Sequence, residues 1–319
     1  MPPASATTDA LAALRSGAAL LPIPCGEIVC CHGADAISWL QGLVSNDLAE
    51  LKPNYPVRAL LLDATGHARF EACTVLPGPE LRAVLDPEPP DTCVVLIVPD
   101  GAARPVVNWL DQFLIAEDAV LSVPADKLSV VSIQGPLAEE AAASALSEGE
   151  AAQLVTHARC GSGGVDVVTA ASAVHPLVAR LKAAMPSASL SDWELCRIEA
   201  GIPRWPQEFG EAVLAPELGL DDTHISARKG CYIGQEIVAR IQARGHTNRK
   251  LCRLTVRNAE ESLVGQELLQ EDKPAVVGRI TSFADSRAGG ALALGFVRHE
   301  HAEPGTRLRT ATGVECVLS

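Results

Sequence analysis

The chain has 319 residues, 48% hydrophobic and 20% charged, and its 39 acids against 26 Lys and Arg leave a formal charge of −13. That length allows two or three domains and a sizeable core. No apolar run approaches a membrane span, and the acidity disfavours a general nucleic-acid binder. Ten cysteines without a C-x-x-C pair argue against a zinc ribbon, a redox dithiol or a ferredoxin-type cluster site. The segment before Arg15 lacks a signal-peptide core, so the expectation is a soluble cytoplasmic protein with reduced thiols and no membrane or nucleic-acid partner.

Residues 1–22 are rich in Ala, Ser, Thr and Pro, and disorder is expected for the first several. A short apolar strand is expected at 28–31, where neighbouring Cys30 and Cys31 cannot both face one ligand. A helix follows at 35–43, then a hairpin of 57–63 and 67–76 around a turn containing Gly66. Further strands are expected at 81–85 and 93–98, separated by a loop with Pro87, Pro89 and Pro90, and a helix at 106–115. The middle of the chain repeats this alternation, with strands at 128–133, 153–158 and 165–170, and helices from Gly135-Pro136 to Leu146 and over 176–185. Such an order implies α+β layers with helices covering antiparallel sheets.

Ser191-Asp192-Trp193-Glu194 has the form of a capping box and opens a helix that runs to Gly201. After Arg244 the pattern is all β. Cys252, Leu254 and Val256 alternate with Arg253, Thr255 and Arg257, and strands at 276–283 and 291–297 complete a small barrel or sandwich. His299-Glu300-His301 has no third ligand fixed nearby, so no metal site is assigned.

The stretch that carries chemistry is Lys229-Gly230-Cys231-Tyr232-Ile233-Gly234-Gln235-Glu236, followed by Arg240. Its two glycines allow positive φ or close approach of the backbone to a ligand. Ile233, Ile237 and Ile241 then mark a helix on which Glu236 and Arg240 pair. Cys231 stands before that helix and two residues from Lys229, and both favour the thiolate; the other reading is a tight turn around a small packing cysteine.

These residues resemble the signature of the YgfZ family of folate-binding proteins, which is similar in fold to the glycine cleavage T-protein, an aminomethyltransferase. The resemblance is sharp from Arg197 to Lys250 and looser from Trp39 to Val297. It implies an α+β fold with two α+β domains and a C-terminal β-barrel around a central folate site. The expected divisions are 1–118, 119–243 and 244–319, the first two interwoven. It implies tetrahydrofolate or a derivative as cofactor, with Arg197, Glu199, Tyr232, Gln235 and Arg240 as binding residues and Cys231 and Lys229 as candidate catalytic residues. Glu199, in Arg197-Ile198-Glu199-Ala200-Gly201-Ile202-Pro203, matches the glutamate that binds the pterin, a task a carboxylate performs by accepting two hydrogen bonds.

The function implied is tetrahydrofolate-dependent support of iron–sulfur cluster assembly or repair in client enzymes, with client proteins or assembly machinery as partners. The alternative is a tetrahydrofolate-dependent one-carbon transferase or demethylase; a binding module without chemistry is a third reading. Against the transferase, the aspartate of the true aminomethyltransferases falls on Phe70, and Glu71 is out of phase, on the opposite strand face. A basic island over 228–257, with Glu236 its only acid, suits the glutamate tail of a polyglutamylated folate; a solvated, charge-protected edge is the other reading.

Overall fold

The computed structural model describes residues 4–52, 55–85, 92–257, 259, 261–271, 275–286 and 290–319, and of 4–9 the backbone only. The Pro87–Pro90 loop and residues 1–3 lie outside them. The chain opens with helix α1 (Ala4–Ser16) and the short strand β1 (Ala19–Leu20). Next come β2 (Glu27–His32), α2 (Ala36–Gln41), β3 (Val57–Leu62), β4 (Ala68–Val75), α3 (Pro79–Leu85), β5 (Cys93–Val98), α4 (Ala103–Leu110) and β6 (Val120–Ser122). The second set is β7 (Leu128–Gln134), α5 (Ala138–Ala145), β8 (Ala152–Thr156), β9 (Gly164–Ala170), α6 (Val174–Ala184), α7 (Leu190–Glu199), α8 (Asp221–His224) and α9 (Gln235–Arg244).

Two antiparallel sheets result, ordered β3-β4-β5-β2-β6 and β1-β7-β9-β8. They sandwich one core, in which Ile28, Cys30, Cys73 and Ile97 meet Val130, Val155 and Val168. Strand alternation sends the intervening residues outward. Val29, Cys31, Leu61, Phe70 and Leu96 pack under α2 and α4, while Val131, Val165 and Val167 pack under α5 and α6. Cys30 and Cys31 therefore belong to different cores. Strands β10 (Arg249–Val256), β11 (Glu267–Gln270), β12 (Val276–Asp285), β13 (Ala291–Arg298), β14 (Arg307–Thr310) and β15 (Glu315–Leu318) close into a barrel. Closure decides between the two tail architectures, and β6, β11, β14 and β15 add to the strands expected from the sequence. Short strands with one buried face give little periodicity to read.

Three local expectations are corrected. Residues 79–85 form a helix rather than a strand: Leu81 is buried on the inter-sheet core and Val84 and Leu85 pack beside it, a helical spacing. The helix expected at 106–115 begins at Ala103 and tightens into a 3₁₀ turn at 111–113. The capping box of α7 uses Ser189 and Asp192, two residues earlier than expected. Ser189 Oγ accepts from the Asp192 N–H at 3.1 Å, and Asp192 Oδ2 accepts from the Ser189 N–H at 2.9 Å. Glu194, relieved of that task, turns to Arg197. Among the described residues no helix is long and apolar enough to cross a membrane.

Candidate functional site

A cavity of about 460 Å³ opens where the inter-sheet core ends. Its walls come from Arg58 on β3, Glu71 on β4, His157 and Arg159 after β8, Trp193 and Arg197 on α7, the segment from Ala200 to Gln207, and Thr223 and His224 on α8. Arg58, Glu71, His157, Arg159 and His224 also surround a recess of about 10 Å³ behind it, room for roughly one water.

The hairpin explains why Glu71 faces this space. Glu71 pairs with Leu60 and Cys73 with Arg58 across β3 and β4, so all four side chains share one face. Phe70 takes the other, joins the core under α2 and α4, and meets the Trp205 ring at 5.9 Å. The alternation expected from the sequence holds, but the face that meets the cavity is the one carrying Glu71, not Phe70. Burial pushes the Glu71 carboxyl up to about 7, against the pull of Arg159, Arg58 and Arg197. Near neutral pH it can therefore give or take a proton.

Beside it lies a charge cluster that no sequence motif announces. Asp166, wholly buried in β9, accepts from Arg159 Nε at 3.0 Å and Nη2 at 2.6 Å, and stands 2.7 Å from His157 Nδ1. Burial opposes the Asp166 charge, yet Arg159 and then His157 hold the carboxyl well below its ordinary range. Burial, with Arg159 next, lowers His157, which keeps its imidazole neutral. Its Nδ1–H then donates to Asp166, leaving Nε2 as an acceptor. His224 is pushed down to about 3 by burial and then by Arg58. An acid within the apolar run Val165-Asp166-Val167-Val168 is the one available signal, since a buried charge needs a partner.

Of the seven residues expected at the site, Arg197 alone lines the cavity, and its guanidinium is consumed. It binds both oxygens of Glu194, the Ile202 carbonyl at 2.6 Å, Ser282 Oγ at 2.7 Å and Glu208 Oε2 at 3.4 Å. That makes it a strut between α7, the following loop and β12, not a free ligand-binding cation. Glu199 does not line the cavity, and its carboxylate is held by Arg15 of α1, at 3.2 Å from Nε.

The other five lie on or before α9, away from the cavity lining. Lys229 donates to the carbonyls of Gln41, Val44 and Asn46 at 2.7, 2.6 and 2.8 Å, so its charge serves the end of α2. Burial lowers this ammonium to about 8, opposed by Asp47, so it remains charged at pH 7. Tyr232 is buried, and burial with Asp221 raises its hydroxyl to about 12. Gln235 opens α9, and Arg240 is exposed and pairs with Glu236 at 2.6 Å. Cys231 is exposed, whereas the other nine cysteines are buried.

Gly234 caps α9 at φ +82°, and a Cβ there would stand 2.5 Å from the Asp63 carbonyl oxygen. The close approach that this glycine allows is to the hairpin turn, not to a ligand. In the basic island, Arg249 is held by Glu217 at 3.0 Å and by the Ala212 carbonyl, while Arg228 and Arg244 stay exposed. His301 Nε2 is 2.8 Å from Gln270 Nε2, and His299 stacks on His246. Among the described residues no group of three or more His, Cys, Asp or Glu is gathered to hold a metal.

The fold is that of the glycine cleavage aminomethyltransferases. It superposes on the crystal structure of glycine cleavage system aminomethyltransferase T from Bartonella henselae with a TM-score of 0.81, covering 98% of this chain and 87% of that one at 16% identity. The expected α+β arrangement with a C-terminal β-barrel is met. No family model matches the chain. A putative chloroplastic transferase of Arabidopsis thaliana is 30% identical over 137 residues, 43% of this chain and 30% of the relative. An aminomethyltransferase of Bacillus pumilus is 25% identical over 261 residues, 75% of this chain and 68% of the relative. The chain spans 28–31% of the length of the first three curated relatives it matches.

Proposed function

We propose that the chain is a folate-dependent, transferase-like protein that binds a reduced folate in the central cavity and uses Glu71 as the acid–base group of a one-carbon transfer. The observation that carries this reading is the place of Glu71 on the wall of the cavity of an aminomethyltransferase-like fold, where burial raises its carboxyl. The cavity fits such a cofactor. Its volume lies in the range for small-molecule sites, about 300–1,000 Å³. Trp205, on the cavity wall, offers an aromatic surface against which a pterin would pack. Bound tetrahydrofolate would supply the nitrogen atoms that carry the one-carbon unit. Glu71 would hold the proton that leaves or joins the reacting amine, and His157, steered by Asp166, would accept a hydrogen bond beside it. The division of the chain at 1–118, 119–243 and 244–319 belongs to this reading.

Calorimetric titration of tetrahydrofolate into the wild type and Glu71→Gln tests the assignment. Binding should survive the substitution, while methylenetetrahydrofolate formation from an aminomethylated lipoyl carrier should fall by about 10²–10⁴-fold. No binding of reduced folate to the wild type would end the reading.

A second reading, support of iron–sulfur enzymes, rests on the family resemblance and on one observation, the exposure of Cys231 alone among ten cysteines. Limiting iodoacetamide should label Cys231 faster than Cys252 or Cys316, whose thiols burial pushes up to about 11. Cluster-enzyme activity in cells should fall with Cys231→Ser; equal labelling and unchanged activity would make it a surface residue without a role.

A further inference from the structure

Four guanidinium groups line the cavity, and three are neutralised from within the protein. Arg159 is held by Asp166, Arg197 by Glu194 and Glu208, and Arg204 by Glu194 at 3.4 Å while its guanidinium lies over the Trp193 ring. Arg58 is the remainder. It is half-buried, it borders both the main cavity and the inner recess, and among the described residues its guanidinium has no hydrogen bond or ion pair. The acids of the lining are Glu71 and the exposed Asp100, and neither forms an ion pair with it. A half-buried guanidinium without an internal partner is free to take an anion that enters the cavity. Glu71 shares its sheet face one step along the diagonal, where neighbouring residues are about 7–8 Å apart. The two heads thus present a fixed positive charge and a proton-exchanging carboxyl to the same space.

We propose that Arg58 anchors the carboxylate of a small amino acid, the second substrate of the cavity, with the amine turned towards Glu71. This rests on the one-carbon reading above, because the amino acid would share the cavity and Glu71 with the bound folate. Charge complementarity selects the class. A simple amine leaves Arg58 unpaired, and a dicarboxylate sets a second negative charge against Glu71. An α-amino acid or N-methyl amino acid meets both groups, and the planar guanidinium fork matches a carboxylate with two parallel hydrogen bonds.

The test is calorimetric titration of glycine, N-methylglycine, acetate and methylamine into the full chain, with tetrahydrofolate titrated separately. The wild type should bind the two amino acids more tightly than acetate or methylamine. Arg58→Gln should weaken them at least tenfold, Arg58→Lys should recover part of the loss, and tetrahydrofolate affinity should change by less than threefold in either variant. Thermal melting checks that both variants fold. Amino acids that bind no better than methylamine, or that bind Arg58→Gln as they bind the wild type, overturn the proposal. So does a tenfold loss of tetrahydrofolate affinity with amino-acid binding intact, which makes Arg58 a folate contact. If tetrahydrofolate fails to bind while Arg58-dependent amino-acid binding persists, the folate reading falls and the carboxylate anchor stands.

Discussion

Glu71 shows how one residue's phase sets its chemistry. Phe70 and Glu71 are neighbours, yet one fills a core and the other borders the cavity. The raised carboxyl has a measurable cost. The native state keeps a proton that the unfolded chain, titrating at the ordinary 4.5, has already released. Stability is therefore unaffected by Glu71 below about pH 4.5, falls as pH rises towards 7, and levels off above that, for a loss of at most about 3 kcal/mol. Urea unfolding of the wild type and Glu71→Gln at steps between pH 4.5 and 7.5 should show the difference moving against the wild type across that window. Parallel curves would mean that the carboxyl is solvated and titrates normally.

At the scale of elements, the Lys229–Glu236 motif is a clasp. Lys229 satisfies three carbonyls at the end of α2, the Ile233 N–H donates to Gly42, and Gly234 fits against the turn between β3 and β4. The strands that carry Arg58 and Glu71 are thus held by a motif that does not line the cavity. Lys229→Met should cost about 3–5 kcal/mol, because it leaves buried carbonyls without donors. Lys229→Arg should recover little, since a planar fork cannot serve three acceptors gathered around one nitrogen. Chemical denaturation midpoints decide it. A Lys229→Met variant as stable as the wild type, with amino-acid and folate binding lost, would instead return this lysine to the ligand.

Across the whole molecule, a buried polar knot joins β12 of the barrel to α7 and the loop after it, beside the apolar contact of Leu195 and Ile198 with Ala284 and Leu294. Arg197 and Glu208 are almost wholly enclosed, and Ser282 on β12 donates to Glu208 at 2.6 Å while accepting from Arg197. Removing one partner strands the other charge, so Glu208→Gln should cost about 3–5 kcal/mol. Replacing Arg197 and Glu208 together by Met and Gln should cost less than the sum of the single changes, and unfolding of the two singles and the double reads that coupling. Strict additivity would show that water already reaches the knot.

The sequence alone determined the strand periods, the hairpin around Gly66, the β character after Arg244 and, through the family resemblance, the aminomethyltransferase-like architecture. These are local patterns, and alternation and turn chemistry write them directly into neighbouring residues. It also determined that Phe70 and Glu71 point opposite ways. Which of the two faces meets a cavity depends on what packs on each side of the sheet, and those partners come from α2, α4, β7 and α7, far away in the chain. Arg197 and Glu199 read alike as ligands in sequence, and only the approach of Glu208, Ser282 and Arg15 decides that both carry internal ion pairs. Arg58 carries the same lesson in reverse. Its lack of a partner is a property of the assembled charge pattern, in which every other cavity arginine has found an acid before it.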